Sequence, residues 1–162
     1  MPLAHESKKD REFMGMALAL ACKNAASAEG GPFGAIVVFD GEVVGQGRNS
    51  VTATNDPTAH AEVIALRQAG KNLGRFDLKG SVLYTSCEPC PMCLAAAYWA
   101  RVDRVVYAAT QHEAAAAGFD DAFLYEELAK PIEARSLNIV RVTTDDENPF
   151  TVWLANPNRI PY

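Results

Sequence analysis

A three-layer α/β sandwich, with helices on both faces of a mixed β-sheet, is the fold class predicted by three features of this 162-residue chain. Near the N-terminus apolar residues recur at helical spacing. A β-branched hairpin follows, and two later apolar strands are separated by a short helical crossover. The hairpin strands must run antiparallel and the crossover strands parallel, so the sheet is mixed.

The first helix is expected over residues 8–28, where Phe13, Met16, Ala17, Leu20 and Ala21 share a face and Gly30-Gly31 ends the run. Cys22 reads as part of that apolar side. Residues 33–39 form an apolar strand, Asp40-Gly41 a two-residue turn, and residues 42–47 the returning strand. Residues 48–58, rich in Asn, Thr and Asp, read as a loop. The next helix starts near Pro57 to Ala59, with Asp56 as N-cap and Pro57 in the first turn, and reaches about Leu73. Residues 81–86 are a buried strand, and Pro91 opens a helix carrying Cys93, Leu94, Ala97 and Tyr98. Residues 104–109 are a further strand, and residues 114–117 and 121–129 read as helices around Gly118. Residues 137–142 form a last strand before a tail holding Phe150, Trp153, Ile160 and Tyr162. No repeat, low-complexity segment or domain boundary interrupts the pattern, so residues 1–162 read as one domain.

A hydrophobic content of 49% with 22% charged residues is that of a globular domain. No apolar run approaches the roughly 20 residues that span a bilayer, which argues against a membrane partner. The first ten residues are polar and show no signal peptide. The net charge of −5, with Lys8, Lys9, Arg11, Arg48 and Arg67 scattered, argues against a nucleic-acid partner, which would need clustered cations. Without an export signal, the four cysteines favour metal binding over disulfides and a cytoplasmic location.

Pro57-Thr58-Ala59-His60-Ala61-Glu62, followed by Pro89-Cys90-Pro91-Met92-Cys93, carries the chemistry. His60, Cys90 and Cys93 make a three-ligand zinc set, and the open fourth position marks a catalytic rather than a structural site. Zinc lowers the pKa of water from about 15.7 to about 7. Glu62 supplies the group that moves protons. Cys90 and Cys93, at i and i+3, project from one side of a first helical turn, whose positive end favours thiolates. Cys87 is a possible fourth ligand that would close the site, but its place at a strand end suits a small buried residue better. Glu62 lies two residues after His60, so the two reach one water only if they occupy the helix's end.

These motifs, with Gly31-Pro32-Phe33-Gly34-Ala35 and Asn49, resemble the cytidine deaminase superfamily over nearly the whole chain. The resemblance implies an α/β/α sandwich with a central mixed five-stranded sheet and one zinc ion per subunit. Asn55-Asp56-Pro57-Thr58-Ala59-His60-Ala61-Glu62 is also similar to tRNA adenosine deaminases. The stretch 85–93, Tyr98-Trp99-Ala100-Arg101 and Ala117-Gly118-Phe119-Asp120-Asp121 resemble the bacterial guanine deaminase branch. That branch implies attack of activated water at C2 of guanine, with Glu62 carrying protons and xanthine and ammonia as products. It further implies that Asp121 assists departure of ammonia, that Asn49 hydrogen-bonds the purine edge, and that Phe33, Trp99 and the terminal Tyr162 enclose the ring. A homodimer with an exchanged C-terminal segment is implied as well, in which Asp121 and Tyr162 serve the neighbouring site.

Each substrate contact has a plainer alternative. Asn49 suits loop capping and Phe33 and Trp99 suit packing, while Asp120 or Asp121 would cap the following helix. The competing functions are deamination of guanosine, cytosine, a triazine or tRNA adenosine, and then an inert zinc-binding module, which would have no need of Glu62.

Overall fold

A computed structural model describes residues 7–162, which divide after Phe123 into two compact units, the second being Leu124–Tyr162. Of the polar leader, residues 1–6 lie outside the described residues.

The first unit is built on a sheet of order β2-β1-β3-β4. Helix α1 (Lys8–Ser27) is followed by β1 (Gly34–Phe39) and β2 (Glu42–Arg48), which pair antiparallel. Asp40 and Gly41 both have positive φ, as a tight primed turn requires. A one-turn helix α2 (Val51–Thr54) interrupts the expected loop, and α3 (Ala61–Leu73) and β3 (Ser81–Cys87) follow. Helix α4 (Pro91–Ala100) then crosses over to β4 (Arg104–Ala109), parallel to β3, and α5 (Gln111–Ala116) comes next.

Strand β1 is buried on both faces, which makes three layers. Ala35 and Val37 pack with Ala61, Ala65, Ala69 and Ala97 from α3 and α4, whereas Ile36 and Val38 pack with Ala17 and Tyr84 beneath α1. Helix α3 lies very close to β2. A Cβ added at Gly45 or Gly47 would come within 2.2 Å of the Ala65 carbonyl oxygen or 2.1 Å of that of Ala61. These glycines and the alanine row Ala61, Ala65 and Ala69 fix the height of α3 over the sheet, and so the position of its N-terminus. On the other face, the buried Asp10 carboxylate receives the Tyr84 hydroxyl at 2.8 Å and pairs with Arg104, pinning α1 to β3 and β4.

The second unit contains most of α6 (Ala122–Ala129), a 3₁₀ turn (Ile132–Ala134) and α7 (Pro149–Ala155), which begins with Asn148 accepting from the Phe150 amide at 2.9 Å.

Four expectations are corrected. The sheet has four strands among the described residues, not five: residues 137–142 are irregular, with Leu137, Val140 and Val142 at 71–77% exposure. Alternation supplies a strand's faces but not the neighbouring backbone that satisfies its amides. Helix α3 starts at Ala61 because Asp56 spends its side chain on the Thr58 amide and hydroxyl, closing a turn that contains Pro57. The tail, read from the sequence without a helix, holds α7. Cys22 is exposed, because the buried line of α1 runs through Ala17, Ala21 and Asn24, one residue's rotation away.

Candidate active site

Two helices begin at the carboxyl end of the sheet with residues that could hold a metal as their caps. His60 is the N-cap of α3 (φ −72°, ψ 153°) and Cys90 that of α4 (φ −65°, ψ 166°); neither side chain bonds an amide of its helix. His60 therefore stands outside the helix while Glu62 sits in its first turn. This is how residues two apart come to face one point.

The His60 Nδ1 lies 3.6 Å from the Cys90 Sγ and 3.5 Å from the Cys93 Sγ. Zinc bonded at about 2.0–2.1 Å to nitrogen and about 2.3 Å to sulfur, with tetrahedral angles, sets these atoms about 3.5 Å apart. The donor set fits the ion. The Cys90 thiol is lowered to about 4 by its hydrogen bond with Cys93 and, against the cost of burial, by His60. Cys93 is pushed strongly up, by Cys90 and then by burial. One thiolate is thus favoured at the expense of the other, and metal binding must displace the remaining proton. Cys87 takes no part in this group: its Sγ faces the Thr110 carbonyl at 3.7 Å, and burial raises its thiol to about 11.

Glu62 is 5% exposed. The Thr85 hydroxyl donates to its Oε1 at 3.1 Å and the Cys93 thiol to its Oε2 at 3.4 Å. Burial pushes the carboxyl above its ordinary range, opposed by these hydrogen bonds, which suits a group that both takes and returns a proton. Sequence reasoning missed Thr85, whose only signal was a polar residue within a buried strand.

These groups open into a cavity of about 380 Å³, whose wall also includes Gly31, Phe33, Asn49, Gln111, Phe119 and Asp121. Phe33 and Phe119 meet edge to face, with centroids 5.0 Å apart at 87°. Asn49 Oδ1 accepts from the amides of Gly31 (3.2 Å) and Val51 (3.3 Å), so the oxygen is occupied and the amide offers the cavity its N–H donors. Asp120 takes the capping position, accepting from the Ala122 amide at 3.0 Å, and Asp121 is left on the cavity wall. Burial and then the negative charge of Cys90 raise the Asp121 carboxyl. Trp99 is 67% exposed, on a surface depression with Ala95, Tyr98 and Arg101, away from this cavity. Tyr162 belongs to the second unit, beside Phe150, Trp153 and Pro161.

The model of the cytidine and deoxycytidylate deaminase zinc-binding region matches residues 7–109. The chain belongs to that family. It is 51% identical over 151 residues to the guanine deaminase of Bacillus subtilis, covering 93% of this chain and 97% of the relative. An X-ray structure of guanine deaminase from Bacillus subtilis superposes with a TM-score of 0.91 at 50% identity, over 94% of this chain and 98% of the other. A tRNA-specific adenosine deaminase of Buchnera aphidicola is 42% identical, but over only 65% of this chain and 69% of its own. The family core is therefore shared by both branches, whereas the similarity to the guanine deaminases continues beyond it toward the C-terminus.

Proposed function

We propose that this protein is a zinc-dependent hydrolase that converts guanine and water to xanthine and ammonia. The observation that carries this reading is the buried Glu62 carboxyl, held by Thr85 and Cys93 beside an open set of three zinc ligands. His60, Cys90 and Cys93 would hold one zinc ion per subunit, and the ion supplies the Lewis acidity that makes water a nucleophile near neutral pH.

The chain's own groups do the rest. Phe33, braced by Phe119, packs on the purine, and the N–H donors of Asn49 read an acceptor on its edge. Glu62 takes a proton from the attacking water as its oxygen bonds to C2 and delivers it to a ring nitrogen, leaving a tetrahedral carbon. It then transfers the second water proton to the exocyclic amine. The C2–N bond breaks, and ammonia departs with Asp121 beside it. Atoms balance: the water's oxygen stays on C2, one of its hydrogens stays on the ring nitrogen and the other departs with ammonia, and Glu62 ends as it began.

The functional unit is a homodimer of single-domain chains with exchanged C-terminal segments, through which Tyr162 reaches the neighbouring subunit's substrate. Two features support this: β4 ends the sheet's strand order, and the strand-like run 137–142 has no ladder within its own unit. The thiol ligands suit the reducing cytoplasm. Among the described residues no helix is long and apolar enough to cross a membrane.

Ammonia release by the zinc-loaded protein, with guanine, guanosine, cytidine, adenine and an adenosine-containing tRNA stem-loop side by side, tests the reading. Turnover of guanine above the others is expected. A preference for the stem-loop, with steep salt dependence, would overturn it.

A further inference from the structure

Helix α1 carries a polar side chain where its buried line should be apolar. Asn24 is fully buried, with Ala17 and Ala21 preceding it on the same line. Its Nδ2 donates to the Gly31 carbonyl at 2.7 Å and to the Asn49 carbonyl at 2.8 Å, using both N–H bonds. Turning the amide over would set its oxygen against those two carbonyl oxygens, so the orientation is forced. The cost is visible at the other end, where Asn24 Oδ1 is buried with no hydrogen-bond partner.

The two carbonyls belong to residues on the cavity wall, and Asn24 itself does not reach the cavity. Gly31 also donates its amide to Asn49 Oδ1, and Asn49 donates its own amide to the Phe33 carbonyl at 3.1 Å. The hydrogen bonds form a closed loop through Asn24, Gly31 and Asn49 that continues to Phe33. Gly30 shows how tight the arrangement is: a Cβ there would lie 2.0 Å from the Asn49 carbonyl oxygen and 3.0 Å from Asn24 Nδ2.

We infer that Asn24 is a positioning residue for purine recognition: its amide clamps the Gly31 and Asn49 backbones, so that the Asn49 side chain meets the base as a donor in a fixed place. The inference rests on the guanine-deaminating reading and deepens it. Asn24 touches neither the reacting atoms nor the metal ligands, so its loss weakens binding of the base while leaving the proton-transfer machinery intact.

The test compares Asn24→Ala, Asn49→Ala, the double variant and Gly30→Ala, each zinc-loaded. Affinity for the guanine analogue 8-azaguanine is measured by calorimetry, and kcat and KM by ammonia release. Asn24→Ala is expected to weaken analogue binding and raise KM about tenfold, with kcat within about twofold. The double variant should be no weaker than Asn49→Ala alone, because both changes remove one interaction. Gly30→Ala displaces the Asn49 carbonyl without shortening Asn24, and should give the same rise in KM even where Asn24→Ala fails to fold. Unchanged affinity in Asn24→Ala or Gly30→Ala, or penalties that multiply in the double variant, would overturn the inference. Wild-type protein that binds the analogue without releasing ammonia from guanine would defeat the deaminase reading alone, since the affinity ratios still decide the role of Asn24. Wild-type protein that does neither would overturn both.

Discussion

Helices α1 and α5 begin with reciprocal capping boxes, Ser7 with Asp10 and Thr110 with Glu113, whereas α3 and α4 begin at His60 and Cys90, whose side chains cap nothing. The first pair follows the residue preferences of helix N-termini, and the second pair departs from them. On the proposed reading, the difference marks where local stability is given up for chemistry. A side chain that bonds its own helix amides cannot also point at a metal, and the two ends facing the cavity carry no side-chain cap. Both ends keep the positive field of the helix terminus, which favours the Cys90 thiolate.

Replacing a ligand with a good cap breaks the contrast most directly. His60→Asn should abolish zinc binding and turnover, while the metal-free protein gains about 1 kcal/mol from the new cap. Metal analysis beside a urea titration of the apo form checks both halves, and an apo protein that is destabilised would refute the trade. Next in size, Glu62→Gln leaves the ligand set in place, so zinc should remain stoichiometric while kcat falls by about 10²–10⁴ or more. Retained turnover would remove Glu62 from the mechanism.

The capped ends should respond in stability, not in chemistry. Burial pushes the Asp10 carboxyl up, but hydrogen bonds from the Ser7 main chain, the Tyr84 hydroxyl and Ser7 Oγ, with Arg104 alongside, outweigh it and hold the group down at about 2. Because this folded value lies below the unfolded one of 3.8, its contribution is complete above pH about 4 and is lost as pH falls toward about 2. Urea midpoints across that range should therefore fall less for Asp10→Asn than for the parent, and parallel curves would reject the assignment. The smallest change is expected at α5, where Thr110→Ala removes an exposed box and should cost about 1 kcal/mol without altering zinc content.

The same division separates what could be read from the chain from what could not. The three candidate zinc ligands, the Asp40-Gly41 turn and the strands β1 to β4 are legible because each is a local pattern: ligand spacing, turn chemistry, or an apolar run. The meeting of His60 and Glu62 is required by a shared water but not shown by their spacing; it is the start of α3 at Ala61 that leaves His60 outside the helix. The groups that finish the site have no such mark. Thr85 and Asn24 are ordinary polar residues until the fold buries them and aims them at a carboxylate and at two carbonyls. The donor polarity of Asn49 depends on the Gly31 amide, eighteen residues away. Residues 137–142 show the opposite failure, a clear strand pattern whose realisation needs a backbone the pattern cannot name. The sequence by itself determined α1, α3, α4 and the four strands of the sheet, and which atoms can hold zinc, because those depend on neighbours along the chain. Tertiary structure alone decided which polar groups are buried and what they face, because hydrogen-bond partners distant in sequence become neighbours only when the core closes.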